Sequence, residues 1–231
     1  MTSAVLFDVD GTLVRLGGAG RAALVRAAAD ETRLPEERVR EVVEAIDFRG
    51  TTDTLIVEKI RAGLQLEDDG ARLMRRYLER LPATVADRER TILPGVRDLI
   101  DTLEGRQPRT VVGLLTGNVR DGARIKLSAF GLGHLADRPG GFGEDGRSRA
   151  EIAGVALSRL RSAGVSEGRA VVVGDTEHDV TAARSAGAAA VAVATGWTPR
   201  ETLEASRPDL LLADLSDPSG LLGLLDRLTT K

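Results

Sequence analysis

Cysteine is absent from the 231 residues. That excludes disulfides, thiolate metal sites and cysteine nucleophiles, and it fits a reducing compartment such as the cytoplasm. Aromatic residues make up only 3% of the chain, so the core has to come from Leu, Val, Ile and Ala, a composition suited to helices packed on a Val-rich sheet. No apolar run is long enough for a signal peptide or a membrane span. Neither sign of charge dominates. Lys and Arg number 32 against 35 Asp and Glu, a net charge of -3, which gives no general electrostatic drive toward DNA, RNA or an acidic membrane face. Arginines alternate with Asp and Glu along helical stretches, the pattern of a solvated surface. What is present is a folded globular composition, 42% hydrophobic and 29% charged, at a length that fits one domain or one domain carrying an insertion. No feature of the sequence sets an oligomeric state.

The chain is organised around its first dozen residues. An apolar run from Ala4 to Phe7 reads as a buried strand ending in Asp8-Val9-Asp10, with Gly11 and Thr12 turning the chain away. Two carboxylates at i and i+2 beside a core strand repel one another, and a cation or a shared proton must offset that repulsion. Two separate structural salt bridges would serve; an active centre holding a hard metal such as Mg2+ explains the pair better.

From residue 15 to 85 nothing alternates convincingly as a strand. Helices are predicted over 19–33, from Pro35 to Ile46, from Leu55 to Arg61 with Thr51 or Thr52 as its cap, and over 68–80. Beyond this helical block, helices and apolar runs alternate. A helix is predicted from Val96 to Leu103, a strand from Thr110 to Leu115 ending in Thr116-Gly-Asn118, and a helix from Arg120 to Phe130. The glycine-rich stretch that follows holds at most a short edge strand at Gly141-Phe-Gly143, ahead of a helix from Ala150 to Ala163. A strand from Arg169 to Gly174 ends in Asp175-Thr-Glu-His-Asp179. Apolar runs at Ala188–Ala194 and Leu210–Ala213, and helices at Val180–Ser185 and Leu221–Leu228, complete the chain. This alternation predicts an α/β fold with a mostly parallel sheet covered on both faces.

Parallel strands place all their carboxyl ends on one edge, where α/β proteins bind ligands. Asp8 and Asp10, Thr116, and Asp175 and Asp179 therefore converge although far apart in sequence. Asp175 and Asp179 are four apart across a helix start, so both face one point. Four carboxylates, a hydroxyl and helix N-termini suit Mg2+ and a phosphoryl group. Taken singly, Asp179 has a second, weaker reading as a helix-capping or surface acid.

On these residues the chain resembles the haloacid dehalogenase-like hydrolases, in particular their phosphatase branch similar to phosphoglycolate phosphatase. Asp8-Val-Asp10-Gly-Thr-Leu13 resembles the family's first motif, Leu114-Leu-Thr116-Gly-Asn118 its second and Gly174-Asp175-Thr-Glu-His-Asp179 its fourth. The resemblance implies a Rossmann-like three-layer core over residues 1–14 and 86–231 and an inserted helical cap over 15–85. It implies a Mg2+-dependent phosphatase acting on a small-molecule phosphate ester, with Asp8 as the nucleophile that forms an aspartyl-phosphate. Asp10 then protonates the leaving alcohol and activates the water. Mg2+ is held by Asp8, the backbone carbonyl of Asp10, Asp175 and, directly or through water, Asp179. Thr116 and the Gly117 amide hold phosphoryl oxygens. Alternatives within the resemblance are a phosphomutase of the same fold and a catalytically weakened regulatory phosphate-binding protein.

The third motif departs from the family, which has a lysine just before the helix preceding the fourth motif. Here the stretch is Gly143-Glu-Asp-Gly-Arg-Ser-Arg149-Ala-Glu151. Arg149 is the candidate for the cation bridging Asp8 and phosphate, with Arg147 second; arginine keeps the charge but is larger and binds anions bidentately. Lys126, inside the preceding helix, reads as surface. His178 reads as a substrate contact or a solvated loop side chain, His134 as structural or exposed, Trp197 as packing ahead of recognition, and Arg49 as a candidate cap residue for meeting a substrate carboxylate or second phosphate.

Overall fold

The structure is a computed structural model that describes residues 2–67, 70–107 and 109–230. Strand β1 (Thr2–Phe7) is followed by the two-residue β2 (Val14–Arg15). Four helices come next: α1 (Ala19–Thr32), α2 (Glu36–Glu44), α3 (Asp53–Leu64) and α4 (Ala71–Ala86). Strand β3 (Thr91–Ile92) then pairs antiparallel with β2, so the helical segment leaves and re-enters the sheet region through one short ribbon. This ribbon is too short to show as alternation in sequence.

The remaining elements are α5 (Val96–Glu104), β4 (Thr110–Leu114), α6 (Arg120–Ser128), a 3-10 turn at Gly133–Asp137, α7 (Arg149–Ser162), β5 (Val165–Gly174), α8 (Glu177–Ser185), β6 (Ala189–Val193), α9 (Arg200–Ala205), β7 (Leu210–Leu212) and α10 (Ser219–Thr230). Among the described residues, no helix is long and apolar enough to cross a membrane.

Local chemistry explains several boundaries. Thr52 caps α3 by accepting the Leu55 N–H at 3.2 Å, and Ser148 caps α7 by accepting that of Glu151 at 3.2 Å, which makes Arg149 the first residue of its helix. The helix predicted over 68–80 begins on residues 68 and 69, which lie outside the described residues. At its other end α4 runs on to Ala86 through Pro82. Leu73, Tyr77, Leu81 and Val85 form one buried stripe at four-residue spacing, and that burial holds the helix past a residue that would end an exposed one. Around Gly141 there is no strand, only a single bridge from Gly141 to Leu115. Helix α9 was not legible as an apolar run, since Leu203 is its one buried residue.

The main sheet has the order β4-β1-β5-β6-β7, and every pairing in it is parallel. Its continuous apolar runs divide by alternation. Val5, Phe7, Val112, Leu114, Val171, Val173, Val191 and Val193 join one core with α1–α6 and α10. Ala4, Leu6, Ala170, Val172, Ala190 and Ala192 join a second core with α7, α8 and Leu203 of α9. Helices thus cover both faces, in three layers. Strand β1 lies between β4 and β5, with connections departing to opposite sides, and the crevice beyond its carboxyl end is where such sheets bind ligands.

Candidate active site

Phe7 is in register with Leu114 on one side and Val173 on the other, so Asp8, Thr116 and Asp175 all lie just past the ends of adjacent strands. The Asp8 N–H donates to the Val173 carbonyl at 2.9 Å, which extends the ladder by one bond and holds the residue rigidly. Asp8, Asp175 and Asp179 are all buried, and each offers a carboxylate oxygen within 4.8 Å of the others.

Their surroundings are built for close approach. Gly11 has φ +86°, and a Cβ there would fall 2.4 Å from Asp175 Oδ2; a Cβ on Gly196 would fall 1.6 Å from the same atom. Only glycine fits at either place. Thr12 donates to Asp175 Oδ1 at 3.2 Å. Asp179 divides its two oxygens: Oδ2 accepts from the Thr176 N–H at 3.1 Å and the Thr176 hydroxyl at 2.7 Å, completing a capping box on α8. Oδ1 is buried without a hydrogen bond. Asp179 is therefore a helix cap through Oδ2, and Oδ1 is the oxygen left to face Asp8 and Asp175.

Among the described residues, one cation contacts this group. Arg149 reaches Asp8 Oδ2 at 3.2 Å and Asp179 Oδ1 at 3.4 Å, and it donates to the Leu115 carbonyl at 3.0 Å. Burial works to lower its pKa, but Asp8 and Asp179 outweigh burial and raise it. A single guanidinium does not balance three acids. Burial raises Asp175 well above the usual carboxylate range, with the Asp8 and Asp179 charges adding to it. Burial raises Asp179 as well, opposed by Arg149. Three hard oxygen donors, one of them buried without a hydrogen bond, fit a divalent cation such as Mg2+. Arg147, the second candidate for the third motif, instead pairs with Glu58 at 2.7 Å on the exposed surface.

Asp10 is not part of the three-acid group. Its Oδ2 accepts from Asn118 Nδ2 at 2.9 Å and from Lys126 Nζ at 2.6 Å. This corrects the expectation for Lys126, whose side chain is only 7% exposed. Burial works to lower the Lys126 pKa, but the Asp10 and Asp53 carboxylates outweigh it and raise it. Thr116 is fully buried and accepts from Asn118 Nδ2 at 2.8 Å. It does not line the cavity, whereas Gly117 and Asn118 do.

The cavity has a volume of about 470 Å³, with Asp8, Asp10, Asp175, Lys126 and Arg149 among its lining residues. Residues from the helical segment also contribute: Arg21, Phe48, Arg49, Thr51, Asp53 and Tyr77. Arg49 is exposed and paired with Asp47 at 2.9 Å. Arg21 stacks on Phe48 at 4.2 Å. A Cβ on Gly50 would meet the ring of the half-exposed His178 at 2.3 Å, so this loop lies directly on the start of α8. Trp197 is 67% exposed, lies under the Arg15 guanidinium at 5.9 Å and lines the cavity, which corrects its reading as packing. His134 pairs with Glu104 at 3.0 Å on the surface.

Asp53 was missed as a site residue. It is buried at the first turn of α3, its N–H donates to the Gly117 carbonyl at 2.8 Å, and its carboxylate accepts the Val119 N–H at 3.0 Å. Burial raises its pKa to about 6, against the lowering effect of Lys126. Because the folded value lies above the unfolded one, the contribution is present below about pH 4 and is lost as pH rises through about 6. Asp53→Asn keeps the acceptor and removes the titration. Its stability relative to the parent, followed by urea unfolding, is expected to increase by on the order of 2 kcal/mol between pH 4 and 7; parallel profiles would refute this.

A family model for the haloacid dehalogenase-like hydrolases matches residues 2–187. The chain belongs to this family. It is 32% identical to phosphoglycolate phosphatase of Synechococcus elongatus over 215 residues, covering 93% of this chain and 94% of that protein. It is 25% identical to phosphoglycolate phosphatase of Escherichia coli K12 over 242 residues, covering 95% and 92%. The crystal structure of CbbY from Rhodobacter sphaeroides in complex with phosphate matches with a TM-score of 0.70 at 25% identity, covering 97% of this chain and 99% of that one. As a haloacid dehalogenase-like hydrolase similar to phosphatases, the chain is an enzyme of phosphoric-ester type.

Proposed function

We propose that the chain hydrolyses a small-molecule phosphate monoester through an aspartyl-phosphate on Asp8, with Mg2+ as cofactor. The observation that supports this reading most is the buried group of Asp8, Asp175 and Asp179 facing Arg149 beside a cavity of about 470 Å³. Mg2+, held by Asp8, Asp175, Asp179 and the Asp10 carbonyl, would neutralise phosphoryl charge. In the first step an Asp8 carboxylate oxygen attacks phosphorus while the bond to the leaving oxygen breaks, and Asp10 gives that oxygen its proton. In the second step water attacks the same phosphorus, Asp10 takes the water's proton, and Asp8 is released with inorganic phosphate. Arg149 and the Gly117 amide, with Thr116 beneath, supply fixed positive charge and donors to the equatorial oxygens.

The helical segment over 15–85 acts as a cap that selects the ester. Its Arg49, at the cavity mouth beside Phe48 and Arg21, is the candidate for meeting a second anionic group of the substrate. Phosphoglycolate, on which two of the relatives act by name, carries such a carboxylate and is the first ester to assay. The test is phosphate release from a panel of small phosphorylated metabolites with and without Mg2+. Release from at least one ester, abolished by EDTA and restored by Mg2+, is the expected result; no release from any member would overturn the reading.

A further inference from the structure

Lys126 forms a closed set with two neighbours. It donates to Asp10 Oδ2 at 2.6 Å and also to Asn118 Oδ1, while Asn118 Nδ2 donates to the same Asp10 oxygen at 2.9 Å. Asn118 is itself anchored, since its Nδ2 also reaches Thr116 Oγ1 at 2.8 Å and its N–H reaches that oxygen at 3.3 Å. The lysine comes from the face of α6 that buries Ala123 and Leu127, so its stem is packed and its head has little freedom. The side chain of Asp10 is 37% exposed against 7% for Lys126: the acid stands in the cavity and the lysine behind it.

Both donors converge on Oδ2. Among the described residues, no hydrogen bond reaches Asp10 Oδ1. A carboxyl gripped at one oxygen by two fixed donors presents the other oxygen in one direction. A buried ammonium is costly unless paired, and here Asp10 and buried Asp53 compensate it. The family's third-motif cation contacts the nucleophile, a place that Arg149 occupies in this chain. Lys126 is therefore a second buried cation, directed at the other acid.

We propose that Lys126 is a positioning residue for Asp10: together with Asn118 it clamps Oδ2 and leaves Oδ1 aimed at the leaving-group oxygen of the ester. This rests on the reading of Asp10 as the proton donor. As the bond between phosphorus and the leaving oxygen breaks, that oxygen keeps the electron pair and takes the proton from Oδ1. The products are a neutral alcohol and an Asp10 carboxylate still held by Lys126.

A positioning role differs from a structural one in its dependence on the leaving group. An alkoxide needs the proton, whereas p-nitrophenolate leaves without it. The experiment measures kcat for the parent, Asp10→Asn, Lys126→Met and the double variant. Each is assayed on the best alkyl ester from the panel and on p-nitrophenyl phosphate, with Mg2+ present. Lys126→Met is expected to lower kcat on the alkyl ester by about 100-fold, the usual cost of a misplaced catalytic group, and by at least about tenfold less on the aryl ester. Added to Asp10→Asn, it is expected to cost less than about threefold further, because both changes remove one function. Equal losses on the two esters, or full additivity in the double variant, would overturn the proposal while leaving the phosphatase reading intact. If Asp10→Asn itself loses equally on both esters, the acid assignment fails first and the role of Lys126 fails with it. Lys126→Gln provides the same comparison should the methionine variant not fold.

Discussion

Asp8→Asn is expected to lower kcat on the best ester by at least about 10,000-fold, the scale at which removing a nucleophile eliminates a catalytic unit. The substitution preserves shape, and its carboxamide oxygen still accepts from Arg149, which lies 3.4 Å from Asp8 Oδ1. Arg149 also keeps its contact with Asp179 at 3.4 Å. Removing one of three buried acids that share a single guanidinium lessens the repulsion that raises Asp175. The metal-free variant is therefore expected to unfold at no lower a temperature than the parent. The loss is then one of chemistry, and two measurements check it: steady-state phosphate release, and trapping of a beryllofluoride adduct, which the parent forms and the variant does not. Turnover within about tenfold of the parent would remove Asp8 from the role of nucleophile.

Arg149→Met reverses the balance. It leaves Asp8, Asp175 and Asp179 buried without their cation, and breaking a buried pair from one side costs about 3–5 kcal/mol. In EDTA the variant is expected to lose that much stability by denaturant unfolding. Mg2+ at about 100 times its dissociation constant should return roughly 2.7 kcal/mol to any form whose folded state alone binds it. For the parent this corresponds to a rise in unfolding temperature of about 5–10 °C. The rescue separates two roles: stability recovers with the metal, whereas kcat stays about 100-fold or more below the parent because the donor to the phosphoryl oxygens is gone. An Arg149→Met protein as stable as the parent in EDTA would show that the three acids do not depend on this cation. Arg149→Lys is expected to fall between the two, since a lysine supplies charge without the fork that spans Asp8 and Asp179.

The edge of the sheet was legible from residue order alone. A parallel strand order follows from helices alternating with apolar runs, and parallel strands align their ends. Asp8 and Asp175 were thus bound to meet whatever the detailed packing. Arg149 was named only through the family's third motif, as the cation just before a helix; the Ser148 cap that makes it the first residue of α7 is seen in the structure. That helices cover both faces was legible too, although which residue of each continuous apolar run faces which core was not.

Lys126 and Asp53 were not legible, and the reason is physical. A lysine between Ile125 and Leu127 in a helix that also holds Arg120 and Arg124 looks solvated, since burying it alone would cost several kcal/mol. Its compensation comes from Asp10, 116 positions earlier in the chain, and from Asp53 at the start of α3. Neither proximity is encoded in local pattern. Trp197 went the other way: a large aromatic in a loop reads as packing, but α/β strand ends open onto a cavity there and leave the ring exposed. The sequence by itself determined a parallel sheet and the acids at its carboxyl edge, because the alternation of helices with apolar runs is read locally. Which cations answer those acids, and which oxygen of each carboxylate stays free, was decided by tertiary structure, because burial of a charge depends on partners that only the folded chain brings within bonding distance.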